Sequence, residues 1–164
     1  KTNYIYSMYL AREFMDDDML FFHGDLVFNR SLIHDVLNCE EKNTATVNFK
    51  RALPEKDFKG RVRDGKVLEV SINIFDDDCF AFQPFYKMEK ATVAAWINKV
   101  SEFIAKGEDR CYAENALNEI FEELNIRAFS YENYYIDEID NLEDHARVTS
   151  EILPFDEADA KIFG

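Results

Sequence analysis

Glycine, proline and cysteine are all scarce: five, three and three in a chain of 164 residues. With so little glycine and proline there is no flexible linker, and no glycine-rich loop precedes a helix to cradle phosphates. The three cysteines, Cys39, Cys79 and Cys111, are widely spaced, odd in number and without a CxxC pair. That excludes a disulfide framework and a thiolate zinc site, and reduced thiols in a cytoplasm are the expectation. Positive charge is also short, with 19 Lys and Arg against 33 Asp and Glu and a net charge of −14. Such a surface repels a phosphate backbone, so broad nucleic-acid binding is excluded, and an anionic substrate requires a bound cation or a local basic patch. No apolar run approaches the roughly 20 residues of a membrane span, and no basic-then-apolar leader opens the sequence.

Apolar residues, by contrast, are abundant. Hydrophobic types make up 47% and aromatics 15%, including 15 Phe and 8 Tyr. That suffices for one domain with a packed core. Thr2 is expected to cap a helix from about Tyr4 to Met15, on whose face Tyr4, Met8, Ala11 and Met15 recur. Asp16, Asp17 and Asp18 end it. Met19 to His23 reads as a short apolar strand of the type buried on both faces in a parallel sheet. Ser31 is expected to cap a helix through Leu37, and Thr44 to Phe49 reads as a strand. Asp64-Gly65 between alternating apolar and charged residues marks a hairpin over Gly60 to Val70. Cys79 to Tyr86 reads as a strand, Ala91 to Ala105 as an amphipathic helix closed by Gly107, and Ala113 to Leu124 as another helix. Ile126 to Phe129 and Tyr134 to Ile139 read as strands. Asn141 opens a helix with Asp144 three residues on. The polar stretch from Leu153 is read as a tail. Strands alternating with helices, plus one hairpin, give an α/β chain with a mixed sheet and helices on its faces.

Two carboxylates stand at strand ends, where open α/β sheets bind ligands. Asp25 follows the apolar run of FFHGDLVF, and Asp140 follows YYIDEI. On neighbouring strands they converge as a pair of hard oxygen ligands suited to magnesium, and Gly24 lets a ligand approach the backbone closely. Each alone has a plainer reading: a turn residue for Asp25, the start of the Asn141 helix for Asp140. Asp137 and Asp144 compete for the metal role, and Asp137 and Glu138 alternate in facing, so one of them at most enters a cleft.

The ordered set "HGD", "DGKVLEV", "PFYKMEK", "CYAENALNE" and "EIDNLEDHA", over roughly Asn3 to Val148, resembles the nucleotidyltransferases that activate small phosphorylated metabolites. The nearer groups are the phosphocholine cytidylyltransferase-like enzymes and the cytidylyltransferases of aminophosphonates, with sugar-1-phosphate nucleotidyltransferases as broader kin. The resemblance implies a three-layer, Rossmann-like nucleotide-diphospho-sugar transferase fold with a mixed, mostly parallel sheet. Residues 1–150 would be the latter part of the catalytic domain and 151–164 a tail. It implies transfer of NMP, CMP above all, from a nucleoside triphosphate such as CTP to phosphocholine, aminoethylphosphonate or a sugar 1-phosphate, releasing pyrophosphate. Asp25 and Asp140 would hold Mg2+ and serve catalysis. The family's first βα unit, with its glycine-rich loop, Arg and Pro-Lys, has no counterpart here. An N-terminal segment or a second chain is therefore expected to complete the nucleotide site.

The same motifs offer Tyr112, Glu114, Tyr86, Lys87 and Glu138 as substrate contacts. An aromatic face with a carboxylate, as in Tyr112 and Glu114, suits a cationic amine, and Lys87 suits a phosphate. Tyr134 and Tyr135 are expected in the same pocket as Glu138. The acidic triplets at Asp16 and Asp76 read as solvated loops and His23 as structural. A non-catalytic α/β regulatory or assembly module is the competing class.

Overall fold

A computed structural model describes residues 3–163. Helix α1 spans Tyr4–Ala11, and a 3-10 turn, Arg12–Phe14, follows it. Then come β1 (Met19–Phe22), β2 (Leu26–Phe28), α2 (Arg30–Asn38), β3 (Thr44–Asn48), β4 (Lys59–Arg63), β5 (Lys66–Ser71) and β6 (Cys79–Met88). The chain continues with α3 (Lys90–Ala105), α4 (Ala113–Asn118), β7 (Arg127–Ser130), β8 (Ile136–Glu138), α5 (Leu142–Glu151) and α6 (Leu153–Phe163). Thr2 lies outside the described residues. Asn3 holds the cap position, its Oδ1 accepting the Tyr4 N–H at 2.7 Å.

Six strands form one sheet in the order β1-β6-β3-β7-β5-β4, and β4 also pairs with β6. The sheet is mixed, as expected. β1, β3, β4 and β7 share a direction, but β5 and β6 run against them, so the one parallel pair is β3–β7. The parallel share is smaller than the sequence suggests because β6 inserts between β1 and β3. Ten residues long and almost wholly buried, β6 is the central strand. Its pairing with β3 skips Pro84 and Phe85, a bulge that fits proline's missing N–H, and Thr46 Oγ1 donates to the Gln83 carbonyl there at 2.7 Å.

β1 corrects its sequence reading. It is a half-buried strand at the sheet margin, antiparallel to β6, rather than a strand buried on both faces of a parallel sheet. Its four residues are apolar because helices or the ribbon described below cover each face. Three layers result. On one face Ile5 and Met8 of α1, Val93, Trp96 and Val100 of α3 and Leu117 of α4 pack on Val47, Phe82 and Tyr86. On the other, Leu32 and Val36 of α2 pack with Leu26, Phe85, Tyr131 and Ile136. The Trp96 indole N–H donates to the Ala113 carbonyl at 2.9 Å, tying α3 to the start of α4. Gly107, at φ 80°, closes α3 while Glu108 N–H donates to Phe103 O.

Three further expectations change. α4 ends at Asn118 and gives way to turns rather than continuing to Leu124. The cap position of α2 is Asn29, not Ser31. The stretch from Leu153 is a helix, and Asp159 on it is 6% exposed. The Asp159 carboxylate accepts Asn29 Nδ2 and the Ser31 N–H, both at 3.0 Å, and the Ser31 hydroxyl, so it caps α2 from across the fold.

Candidate active site

β1 ends at Phe22, and His23-Gly24-Asp25 turns the chain into β2, whose Leu26 N–H donates to His23 O. β2 then leaves the main sheet and pairs antiparallel with β8 as a two-stranded ribbon, Leu26 opposite Glu138 and Phe28 opposite Ile136. The ladder runs one step further, because Ile139 N–H donates to the Asp25 carbonyl at 3.0 Å. Asp25 and Asp140 therefore emerge at the same end of the ribbon although 115 positions separate them in sequence. Asn141 caps α5, its Oδ1 accepting Glu143 N and Asp144 N at 2.8 and 3.0 Å, so the Asp140 side chain is not used as the cap. Among the described residues, the side chains of Asp25 and Asp140 form no hydrogen bond or ion pair.

The alternation along β8 separates the other two acids. Asp137 faces Arg51 at 3.3 Å and Arg147 at 2.5 Å and is neutralised by them. Glu138 is half-buried on the opposite side. Burial first, then the carboxylates of Asp57, Asp25, Asp140 and Asp137, push its carboxyl up to about 7. The site thus gathers four acids, Asp25, Asp57, Glu138 and Asp140, of which Asp57 has the Lys59 ammonium nearby. Asp57 lies in the loop before β4, where neither spacing nor motif singles it out. Gly24 has open space where a Cβ would sit and no positive φ, so the turn itself does not require glycine.

Next to this cluster four aromatic rings close a circuit. Tyr4 lies 4.7 Å from His23 and 5.9 Å from Tyr112, and Phe58 lies 5.9 Å from His23 and 5.1 Å from Tyr112. They come from α1, the β1–β2 turn, the loop before β4 and the start of α4. Glu114, 1% exposed, lies beside them. Its Oε1 accepts the Tyr86 hydroxyl at 3.1 Å and stands 3.4 Å from His23 Nε2, too poorly aligned there for a hydrogen bond. Burial drives the Glu114 carboxyl up to about 8, opposed only by a backbone hydrogen bond. Burial also lowers the His23 imidazole, against the pull of Asp25. Glu114 Oε2, His23 Nε2 and the Tyr4 hydroxyl are buried without a hydrogen-bond partner. A cavity of about 390 Å³, walled mainly by Ser7, Met8 and Ala11 of α1, Met15 and the end of β1, also opens on Tyr4, His23, Gly24 and Asp25, while Phe58, Tyr112 and Glu114 do not line it.

The remaining candidates disperse. Tyr86 is fully buried against Trp96 and Phe82, so it supports Glu114 and does not meet a ligand. Lys87 faces away from the site at the other end of β1, paired with Leu20, and donates to the Leu37 and Cys39 carbonyls at 3.2 and 2.9 Å. It closes the C-terminus of α2 instead of awaiting a phosphate. Tyr134 and Tyr135 do not join Glu138 but line a separate cavity with Arg51, Asp137 and Arg147. Of the acidic triplets, Asp76 and Asp78 are not simply solvated: they clamp Arg61, each at 2.6 Å, and Asp78 also holds Arg63. With Cys79 they form a metal-sized cluster, but its carboxylates are already matched by those guanidiniums.

No family model matches the chain, and no curated protein matches it in sequence. Solved structures do. A Bacillus anthracis protein described as a glucose-1-phosphate thymidylyltransferase, solved with sucrose, superimposes with a TM-score of 0.68 at 12% identity. The CTP:phosphocholine cytidylyltransferase of Streptococcus pneumoniae gives 0.71 at 17%, and the inositol-1-phosphate CTP transferase of T. maritima 0.67 at 18%. The fold is that of the nucleotidyltransferases. These matches cover 91%, 92% and 90% of the chain but only 60%, 64% and 61% of the neighbours, so the chain spans about three-fifths of their length. The fold implied by the sequence resemblance is therefore present, over part of the neighbours' extent.

Proposed function

We propose that this chain carries the metal and acceptor half of a nucleotidyltransferase that moves NMP, CMP by the sequence resemblance, from a nucleoside triphosphate to a phosphorylated small molecule. In that reaction an acceptor phosphate or phosphonate oxygen bonds to the α-phosphorus, the bond to the bridging oxygen breaks, and pyrophosphate leaves. The observation that carries the reading is the β2–β8 ribbon, which delivers Asp25, Glu138 and Asp140 to one edge beside Asp57. The donor set is all hard oxygen, and Asp25 and Asp140 have no ion-pair partner among the described residues, which suits Mg2+ held by these two. Bound there, the ion would neutralise charge on phosphate oxygens, the main demand of phosphoryl transfer. The remaining work is positioning. His23 needs no role as a base, because an ionised phosphate is already a nucleophile.

Arg51 and Arg147 are bound to Asp137, and Lys59 is buried and donates to the Pro54 and Glu55 carbonyls, so none of these three cations is free to hold a triphosphate. We assign that role to a further segment or second chain seated along the outer edge of β1, which has no strand partner among the described residues. The same lack of cations favours the second reading, a non-catalytic α/β module derived from this fold.

The test is pyrophosphate release from CTP and Mg2+ with 2-aminoethylphosphonate, phosphocholine or glucose 1-phosphate, using the longest natural polypeptide that carries these residues. Asp25→Ala and Asp140→Ala are each expected to lower the rate about a hundredfold or more, as loss of a main charge-stabilising group does. Wild-type rates in both variants sink the site, and no release with any acceptor favours the non-catalytic module.

A further inference from the structure

We propose that Asp137 is a positioning residue: gripped by Arg51 and Arg147 behind the β2–β8 ribbon, it sets the spacing of the acids on the ribbon's other side. This rests on the metal-site reading above.

β8 is three residues long, and its alternation sends Asp137 to one side and Glu138 to the other. Two short strands pairing only with each other are marginal by themselves. The Asp137 carboxylate restrains them from three directions. Its Oδ2 accepts from Arg51 Nη2 at 3.3 Å and from Arg147 Nη1 at 2.5 Å, and its Oδ1 accepts the Glu138 N–H at 3.0 Å. Each partner belongs to a segment that carries an acid of the site. Arg51 is on the loop between β3 and β4, which also holds Asp57. Arg147 is on α5, which Asp140 and the cap residue Asn141 lead into. Glu138 is itself one of the acids, and Val27, opposite Asp137, stands two residues beyond Asp25. The loop is anchored at both ends. Asn48 Oδ1 accepts the Lys50 and Arg51 amides at 3.0 and 2.8 Å, and the buried Lys59 Nζ donates to the Pro54 carbonyl at 2.9 Å. Asp137 is 7% exposed, so removing either guanidinium leaves a buried charge poorly matched and favours rearrangement of the segments around it.

Groups that orient metal ligands from behind commonly govern metal affinity ten- to hundredfold. Plain electrostatics is the rival account of the same residues, and the two differ in sign. Taking a positive charge away from behind the acids tightens cation binding if only the field matters. It loosens binding if the charge was holding the acids in place.

Titration of the chain with Mn2+ in the absence of nucleotide, followed by electron paramagnetic resonance of the free ion, separates the two. Arg51→Gln is expected to bind Mn2+ at least about tenfold more weakly than wild type, against the sign that charge alone dictates. Amide hydrogen exchange without metal is expected to quicken in that variant at Glu138 and at position 51, while α3 exchanges at its wild-type rate and so reports an intact fold. Mn2+ bound by folded Arg51→Gln as tightly as by wild type, or more tightly, overturns the proposal. Should Arg51→Gln not fold, Arg147→Gln takes its place, with the same loss expected and the same result overturning it. Should the wild-type chain bind no Mn2+, the metal reading fails and exchange alone decides. Quicker exchange at Glu138 in Arg51→Gln then keeps Asp137 as the brace of ribbon and loop, and exchange at the wild-type rate overturns it.

Discussion

Glu114 is a carboxyl group placed where its charged form is poorly solvated, and that sets a pH dependence of known sign. Its folded value is about 8 and its ordinary value 4.5. Between these the folded chain keeps a proton that the unfolded chain has lost. Stability from this group is therefore whole below pH 4.5 and falls as pH rises towards 8, by at most about 1.4 kcal/mol per unit. Glu114→Gln removes the titration and should flatten that slope, becoming more stable than wild type near pH 8. Urea unfolding at several pH values checks this, and parallel curves for the two proteins would refute it. Glu138 shares the leading cause, burial, but four neighbouring carboxylates add to it, and together they raise it to about 7. Asp25→Asn or Asp140→Asn should move it down towards 4.5, which carboxyl carbon NMR resolves. An unmoved Glu138 would mean the three acids do not share an edge. Asp25 and Asp140 were readable as carboxylates at strand ends. Asp57 and Phe58 were not, because they lie on an aperiodic loop that acquires its neighbours only when β4 joins β6.

At the scale of elements, legibility followed how local the cause was. The β4–β5 hairpin was plain from Asp64-Gly65, and both residues do take positive φ, 50° and 72°. Gly65→Ala should cost about 1 kcal/mol or more, from that φ and from a Cβ 2.6 Å from Arg127 Nη2, read as a lower melting temperature with an unchanged fold. The start of α2 was misread because its cap comes from Asp159, 128 positions beyond Ser31. Asp159→Ala should cost about 1–2 kcal/mol, the worth of a strong cap, and should speed hydrogen exchange at the Ser31 amide. Exchange there at the wild-type rate would show that α6 does not hold α2. β1 was recognised as a strand but not as a marginal one. Apolar residues on both faces look alike in a central parallel strand and in an edge strand sandwiched between other elements, and only the pairing of β6 distinguishes them.

For the whole molecule the distribution of charge matters more than its sum. A net charge of −14 leaves many acids unmatched, yet Asp76, Asp78 and Asp137 each have a guanidinium partner. Unmatched acids gather at the end of the β2–β8 ribbon, and their repulsion opposes folding. A divalent cation bound there stabilises the folded state alone, by RT ln(1 + [L]/Kd), about 2.7 kcal/mol at a hundredfold excess over Kd. Millimolar MgCl2 should therefore raise the melting temperature beyond what NaCl of equal ionic strength achieves, since NaCl only screens. In the double variant Asp25→Asn, Asp140→Asn the two salts should act alike, and the starting stability should be higher, because two repelling charges are gone. If magnesium stabilises that variant as much as wild type, the ion sits elsewhere. The clamped Asp76–Asp78 cluster is then the first alternative, and Arg61→Gln, which would free Asp76 and leave Asp78 held by Arg63 alone, should enhance the magnesium response there and leave the ribbon edge untouched.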